Sequence, residues 1–136
     1  MSNNSHLTTM IHILTLLANY DEPVSSSMIA GSVNTNPVTI RRALGRLREA
    51  GLVQTVAGAA GGALLARPAD QINLAELYKL EREEHFFGMH PSQPNPNCPV
   101  GRNIQGILTG IYDHTEQLVV EELAQVTIAD ILKQIG

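Results

Sequence analysis

Apolar side chains recur with the period of an α-helix in the first third of the chain. Residues 7–18 place them at steps of three and four, which predicts a helix with a broad buried face. The segment Tyr20-Asp21-Glu22-Pro23 interrupts this pattern, and a second apolar segment, 28–33, follows three consecutive serines. Because serine is a favoured cap, we predict a second short helix that begins at this serine run.

A third helix is predicted to begin at Asn36 and to end at Gly51. Asparagine caps the first turn, Pro37 suits the first helical position because it needs no amide hydrogen there, and glycine closes a helix. Its buried stripe consists of Ile40, Leu44 and Leu47. The rest of its circumference carries four arginines, Arg41, Arg42, Arg46 and Arg48. The second and third predicted helices, joined by the polar turn 34–36, are typical of a helix-turn-helix, whose second helix enters the DNA major groove.

After Gly51 the pattern changes to two short extended runs, 52–56 and 63–66, on either side of a glycine-rich segment. This predicts a two-stranded hairpin, or wing, with Gly58, Gly61 and Gly62 at its tip. Glycine permits positive backbone angles, and an amide without a side chain can approach a phosphate closely. A glycine-rich turn without any ligand is the alternative, but a neighbouring helix-turn-helix favours the DNA-binding interpretation.

The second half of the chain predicts a short helix, an irregular loop and a long helix. The short helix covers 73–81, and the loop 85–99 contains four prolines. The long helix runs from Gly101 to about Ala124, and a capped turn follows at 127–132. The apolar stripe of the long helix has nearly heptad spacing. It predicts antiparallel dimerisation through Ile104, Ile107, Leu108, Ile111 and Leu118. Packing within its own chain is the alternative.

Charge is divided unevenly along the chain. The 136 residues have a net charge of −4, but residues 1–69 carry five arginines against three acidic residues, whereas residues 70–136 carry four basic and ten acidic residues. All five of these arginines lie between positions 41 and 67. The positive charge is thus concentrated where the helix-turn-helix is predicted, and it can attract phosphates there.

Composition sets the broad class. No apolar run is near the length of a membrane span, and the polar start is unlike a signal peptide, so we expect a cytoplasmic protein without a membrane partner. A single cysteine, Cys98, cannot form an internal disulfide. We predict a mostly α fold with a small β wing. Its parts are a winged helix-turn-helix DNA-binding domain (1–82), a proline-rich sensor loop (83–100) and a dimerisation helix with a tail (101–136).

These segments together resemble the Rrf-two (Rrf2) family of bacterial winged-helix regulators. The resemblance rests on motifs that keep their order and spacing over residues 7–82: Pro23-Val24-Ser25-Ser26, Ile29-Ala30, Asn36-Pro37-Val38 with Ile40-Arg41-Arg42, Ala50-Gly51-Leu52-Val53, Gly58, Gly61-Gly62 and Leu65-Ala66-Arg67-Pro68. The long helix and the segment 126–131 extend it over nearly the whole chain. It implies a homodimeric transcription factor, usually a repressor, in a family whose members sense iron-sulphur cluster status, nitric oxide, iron or cysteine supply.

The resemblance also implies DNA contacts at seven positions, Ser26, Ser27, Pro37, Val38, Thr39, Arg41 and Arg42. Asn36, Arg46 and the three wing glycines complete the set of predicted DNA-binding residues. A helix amino end can bind phosphate, Thr39 can reach a base edge or a thymine methyl, and an arginine can bind guanine through two hydrogen bonds. We expect Arg41 and Arg42 to matter more than Arg46, while Arg48 or Arg42 could instead pair with Glu49.

The chain departs from the family pattern in two places. Many members have a basic residue before the first wing glycine and an aromatic residue after the glycine pair, where this chain has Ala57 and Ala63. Members that bind a cluster use three cysteines, whereas this chain has one, so we expect no cofactor and no metal. A cluster would need His85 and His90 in place of the missing cysteines.

Cys98, His85 and His90 remain candidate sensor residues. Near the start of the long helix, Cys98 could act as a redox switch, and a buried small apolar residue at the dimer interface is an equally good interpretation.

The sequence thus predicts a sequence-specific repressor that binds a palindromic operator on double-stranded DNA and responds to a redox, metabolite or protein signal. A winged-helix module that binds only proteins is the alternative, favoured by the acidic second half and the neutral wing. An enzyme is not expected, because no phosphate loop, carboxylate pair or cysteine-histidine arrangement stands out.

Overall fold

The structure, a computed structural model, describes residues 5–81 and 87–136. Over these residues the chain forms α1 (Ser5–Ala18), α2 (Ser26–Val33), α3 (Pro37–Glu49), β1 (Val53–Val56), β2 (Gly62–Leu65), α4 (Leu74–Leu80), α5 (Pro99–Leu123) and α6 (Ile128–Ile135). A 3-10 turn, Ala69–Gln71, precedes α4. The predicted mainly helical fold with a β wing and a long later helix is therefore confirmed.

The first helix, α1, is the centre of the hydrophobic core. It contacts α2, α3, α4, α6 and strand β2. Ile13 and Leu14 on α1 are completely buried, as are Ile29 on α2 and Ile40 and Leu47 on α3. Burial of aliphatic side chains from four helices, with Ala63 of β2, makes residues 5–81 and α6 a single packed unit.

Local capping fixes the two helices of the helix-turn-helix. The Ser25 hydroxyl accepts a hydrogen bond from the Met28 amide at 3.1 Å, and the Asn36 side chain accepts one from the Thr39 amide at 2.9 Å. Asn34 adopts a left-handed backbone (φ 62°) at the end of α2. Gly51, just past α3, does the same (φ 76°). The predicted start and stop signals are therefore confirmed, with helix bounds shifted by a residue or two.

The wing is an antiparallel hairpin in which Val53 pairs with Leu65 and Val56 pairs with Gly62. A backbone bridge joins it to Val24, two residues before α2, because Val24 and Ala63 exchange two hydrogen bonds of 3.0 and 2.9 Å. Gly62 permits this approach, since a β-carbon there would overlap the Val24 carbonyl group. The wing is thereby fixed to the start of the helix-turn-helix.

In the second half of the fold, α4 and α6 each begin with a capping box, and a backbone bridge joins the two starts. Asn73 and Glu76 form a capping box at the start of α4, and Thr127 and Asp130 form another at the start of α6. The Asn73 and Thr127 segments also pair as an isolated antiparallel bridge. The predicted terminal turn is thus an eight-residue helix.

Helix α5 has the smallest share of buried residues among the α-helices. It begins at Pro99, two residues earlier than predicted, because proline suits the first helical position. Of its 25 residues only Glu116 is buried. None of the described helices is both long enough and apolar enough to span a lipid bilayer. The predicted domain boundary at 82/83 lies outside the described residues.

Candidate nucleic-acid interface

An open groove of about 490 Å³ lies between α3 and the wing. The start of α2 contributes Ser25 and Ser26, and β1 contributes Thr55 and Val56. The remaining lining residues come from α3 and the wing tip: Arg41, Leu44, Gly45, Arg48, Gly58, Gly61 and Gly62. Three segments that are distant in sequence therefore form one concave, arginine-bearing surface.

Arg41 and Arg48 line this groove from one face of α3. They are seven residues apart, which is about two helical turns, so they project from the same side of the helix. Gly45 lies between them, and a β-carbon placed there would meet nothing within 4 Å. Among the described residues, neither arginine takes part in an ion pair. Both guanidinium groups are therefore available to an anionic partner that enters the groove.

The amino end of α2 lies beside the two arginines. Ser25 caps it, Ser26 is half-buried in the groove wall, and Ser27 is exposed. The first amides of a helix lack internal partners and carry the positive end of its dipole. This terminus adds further donors for a phosphate to those of the arginines.

The amino end of α3 presents a different chemistry. The side-chain oxygen of Asn36 is occupied by the Thr39 amide at 2.9 Å and by the Thr39 hydroxyl at 3.4 Å. Pro37 is half-buried, and Val38 is 55% exposed. Arg42 is also exposed but does not line the groove. This end of the helix can therefore offer apolar as well as polar contacts.

Arg46 is engaged elsewhere, which revises its prediction as a DNA-contacting residue. One terminal nitrogen (Nη1) lies 2.7 Å from the Glu81 carboxylate, and the other (Nη2) donates a hydrogen bond of 2.8 Å to the Leu80 carbonyl. On the helix surface it lies about 140° around from Arg41. Its guanidinium therefore binds the end of α4 and does not face the groove.

The wing glycines have different roles. Gly58 is exposed, has a positive φ of 104°, and has open space where a side chain would be. A β-carbon on Gly61 would overlap the Val56 carbonyl oxygen, and one on Gly62 would overlap Val24. The fold itself therefore requires the glycine pair. The wing bears no charge near its tip, where Ala57 is exposed and Ala63 is buried.

Comparison with known proteins identifies the family. The model of the family described as Rrf2, iron-dependent transcriptional regulator, matches residues 3–134. The chain belongs to the Rrf2 family. It is 40% identical over 133 residues to YwnA of Bacillus subtilis (strain 168), a proposed HTH-type transcriptional regulator, and the match covers 97% of this chain and 98% of YwnA.

Solved structures agree with this assignment to the Rrf2 family. A crystal structure described as a proposed DNA-binding protein is 35% identical, covers 93% of this chain and 98% of its own, and has a TM-score of 0.76. A proposed transcriptional regulator from Lactobacillus plantarum is 26% identical, covers 98% and 91%, and has a TM-score of 0.82. The predicted DNA-binding transcriptional regulator is thus confirmed, and the protein-only module is not favoured.

The family description mentions iron, but the donors of this Rrf2 chain do not fit an iron-sulphur cluster. The sequence has one cysteine, whereas such clusters are held by about four protein ligands. Cys98 is half-buried just before α5, and His90 is exposed. His85 lies outside the described residues. Over the residues that the structure describes, no three His, Cys, Asp or Glu side chains form a group that could hold a metal ion.

The predicted dimerisation residues form an exposed stripe on α5. Ile107 is 57% exposed, Ile111 54% and Leu118 51%, while Ile104 and Leu108 are half-buried. Val100, which is not among the predicted residues, is 68% exposed at the start of the same stripe. The stripe in this Rrf2 protein is therefore an apolar surface that the described residues of the chain cover only in part.

Sequence reasoning missed six of the eleven residues that line the groove, and Arg48 and Ser25 are two of them. Arg48 was considered as a partner for Glu49, and Ser25 as a helix cap only, yet both line the groove. The signal for Arg48 was its seven-residue distance from Arg41. No local sequence signal places Ser25 in the groove, because its position depends on the bridge between Val24 and Ala63.

Proposed function

We propose that this protein is a homodimeric repressor that acts on DNA in the cytoplasm and binds a palindromic operator with α3 in the major groove. The observation that carries the proposal is the groove in which Arg41 and Arg48 lie free of ion pairs among the described residues, beside the amino end of α2. A duplex backbone is the extended anion that such a surface fits.

Within this proposal the contacts divide into two classes. Ser26, Ser27 and one or both groove arginines hold phosphates, which fixes the protein on the duplex. The exposed Val38, with Thr39 and Arg42 near the same end of α3, faces base edges, since an apolar side chain suits a thymine methyl and an arginine suits guanine. Gly58 allows the uncharged wing to approach the backbone without a side chain between them.

The salt dependence of duplex binding tests the groove. A fluorescent duplex that carries the operator is titrated with protein at several salt concentrations, and the slope of log K against log salt reports the number of phosphates contacted. Arg41→Ala and Arg48→Ala should each weaken binding at least about 10-fold, and a phosphate-binding residue should also reduce the slope by about 1. Arg102→Ala, which removes the same charge from an exposed position on α5, is the matched control.

Footprinting upstream of the protein's own gene supplies the operator for that titration. We expect one protected palindrome with two half-sites about one helical turn apart. In cells, deletion of the gene should raise transcription from the protected promoter. Absence of any protected site, together with no duplex binding that varies with salt, would sink the proposed function.

Dimerisation is proposed from the apolar stripe on α5. The exposed residues Ile107, Ile111 and Leu118 follow the spacing of an antiparallel helix pair, and a second copy of α5 can cover them. Such a pair would place two α3 helices on one face of the DNA. Sedimentation velocity at several protein concentrations should show a dimer, and a monomer at all concentrations would contradict the proposal.

The signal that controls the repressor is proposed to be a redox state, a metabolite or a protein. Cys98 remains the candidate for a redox signal, because it lies half-buried at the start of the helix that is proposed to dimerise. Treatment with peroxide should lower the operator affinity of the native protein and not that of Cys98→Ala. If both proteins respond equally, Cys98 is not the sensor.

A further inference from the structure

Arg46 connects the recognition helix to the end of a different helix. It lies in the last turn of α3, and its two terminal nitrogens bind two groups at the end of α4. The Leu80 carbonyl is one of the last four carbonyls of α4, which lack partners inside the helix. Arg46 supplies a donor to that carbonyl and positive charge near the negative end of the α4 dipole. A guanidinium can make both contacts at once because its donors form a rigid fork.

The acidic partner of this contact is well shielded from water. The Glu81 side chain is only 10% exposed, while that of Arg46 is 37% exposed. An ion pair of this burial is screened less by salt than a pair on the open surface. The contact between α3 and α4 is therefore a defined polar contact and not a transient pairing of two long side chains.

The position of α4 gives this contact its functional meaning. On α4, the Tyr78 hydroxyl lies 3.3 Å from the buried Glu116 carboxylate of α5, and Glu76 accepts hydrogen bonds of 2.8 Å from Arg67, which follows the wing. Helix α4 thus has polar contacts with the long helix and with the segment after the wing, in addition to α3. A displacement of α4 relative to α3 must stretch or break the contacts made by Arg46.

We propose that Arg46 is a positioning residue that fixes the orientation of the recognition helix against the end of α4 and does not itself contact DNA. The inference rests on the proposed function, since it assumes that α3 enters the major groove. It predicts that DNA affinity depends on two residues that lie outside the groove. Movement of the α4 end is then a route by which a signal at α5 can reach the DNA-binding face.

Operator binding by four variants tests this proposal. Arg46→Ala should weaken binding about 10-fold, while the slope of log K against log salt stays at the native value because no phosphate contact is lost. Glu81→Gln, which keeps the size of the side chain, should also weaken binding, by about 3-fold. The double variant should be no weaker than Arg46→Ala alone, because both changes remove the same contact. Arg46→Lys should not restore native affinity, since lysine keeps the charge but lacks the fork.

Folding is controlled separately. Each variant is measured by thermal melting, and its operator affinity is determined well below the melting temperature with the active fraction titrated. A merely structural role for Arg46 would reduce the melting temperature or the active fraction and leave the affinity of the folded protein unchanged, which would overturn the proposal.

Two further results would overturn it. The first is a reduction of the salt slope by about 1 in Arg46→Ala with native affinity in Glu81→Gln, which would make Arg46 a phosphate contact. The second is native affinity in Arg46→Lys. Failure of the proposed function is distinguishable, because in that case the native protein and Arg41→Ala would show equally weak, salt-insensitive binding.

Discussion

The helices α3 and α5 differ in where their apolar side chains lie. Helix α3 buries Ile40, Leu44 and Leu47 in its own domain and leaves charged groups exposed. Helix α5 leaves Ile107 and Ile111 more than half exposed, and its one buried side chain is a carboxylate. The apolar side chains of α3 are thus covered within one chain, whereas those exposed on α5 are covered by a second copy in the proposed dimer. If the proposed dimer forms, the stability contributed by α5 depends on protein concentration, and that contributed by α3 does not.

The largest expected effect comes from placing charge on the α5 stripe. Ile107→Glu combined with Ile111→Glu should convert the dimer into a monomer, because four carboxylates would face one another in the antiparallel pair. Operator affinity should then fall by about 100-fold or more, since binding to the two half-sites is no longer linked. Sedimentation and operator titration measure the two effects.

The control for this variant adds the same charge elsewhere on α5. Asn103→Glu combined with Gln117→Glu places two carboxylates at exposed polar positions outside the stripe. It should remain dimeric. A monomeric control, or a dimeric stripe variant, would show that α5 does not dimerise through this surface.

A core truncation in α3 should act at every protein concentration. Leu47 is completely buried, so Leu47→Ala should reduce the free energy of unfolding by about 2–5 kcal/mol. Ile111→Ala should instead show a cost that rises with protein concentration, because the exposed half of its side chain is covered only in the proposed dimer. Urea denaturation at two concentrations, 100-fold apart, distinguishes them. Concentration-independent costs for both residues would remove the contrast between the two helices.

Two glycine substitutions separate the requirements of folding from those of binding. Gly62→Ala should destabilise the protein by about 1–3 kcal/mol, because its β-carbon would overlap the Val24 carbonyl. Gly45→Ala meets no obstacle and should stabilise α3 by about 0.5–1 kcal/mol, yet weaken operator binding by filling the space between Arg41 and Arg48. Thermal melting and operator titration give both values. Equal or tighter binding by Gly45→Ala would show that DNA does not approach that face.

The smallest expected effect is a pH dependence at α6. The Thr127 amide donates to the Asp130 carboxylate at 2.9 Å, and this hydrogen bond holds the pKa of Asp130 below the ordinary value of 3.8. Its stabilising effect is therefore present above pH 4 and is lost as the pH falls through the lowered pKa. Asp130→Asn should have a melting temperature that depends less on pH below 4 than that of the native protein. Identical acid profiles would contradict this assignment.

The sequence predictions are accurate where the interacting residues are close together in the sequence, and they fail where these residues are far apart in it. Ser25, Asn36 and Gly51 were assigned as caps or stops because a cap acts within three or four residues of its own position. Arg46 is predicted from the sequence to contact DNA. Its actual partner, Glu81, lies 35 positions away, and nothing local to α3 indicates that contact. Likewise, the sequence predicts a DNA contact at Gly62, because nothing local to the wing indicates that Val24 packs against this glycine. Exposure of the α5 stripe was predictable, but what covers it is not decided within one chain.

The bridge between Asn73 and Thr127 constrains the order in which the molecule folds. Its partners are about 54 positions apart, and they lie on either side of α5 and the proline-containing segment. Closing so long a loop costs entropy that only a preformed surface can offset, so α6 is expected to attach after α1 and α4 have met. During synthesis, α2 and α3 of the helix-turn-helix would then be assembled before the chain can associate with a second copy in the proposed dimer.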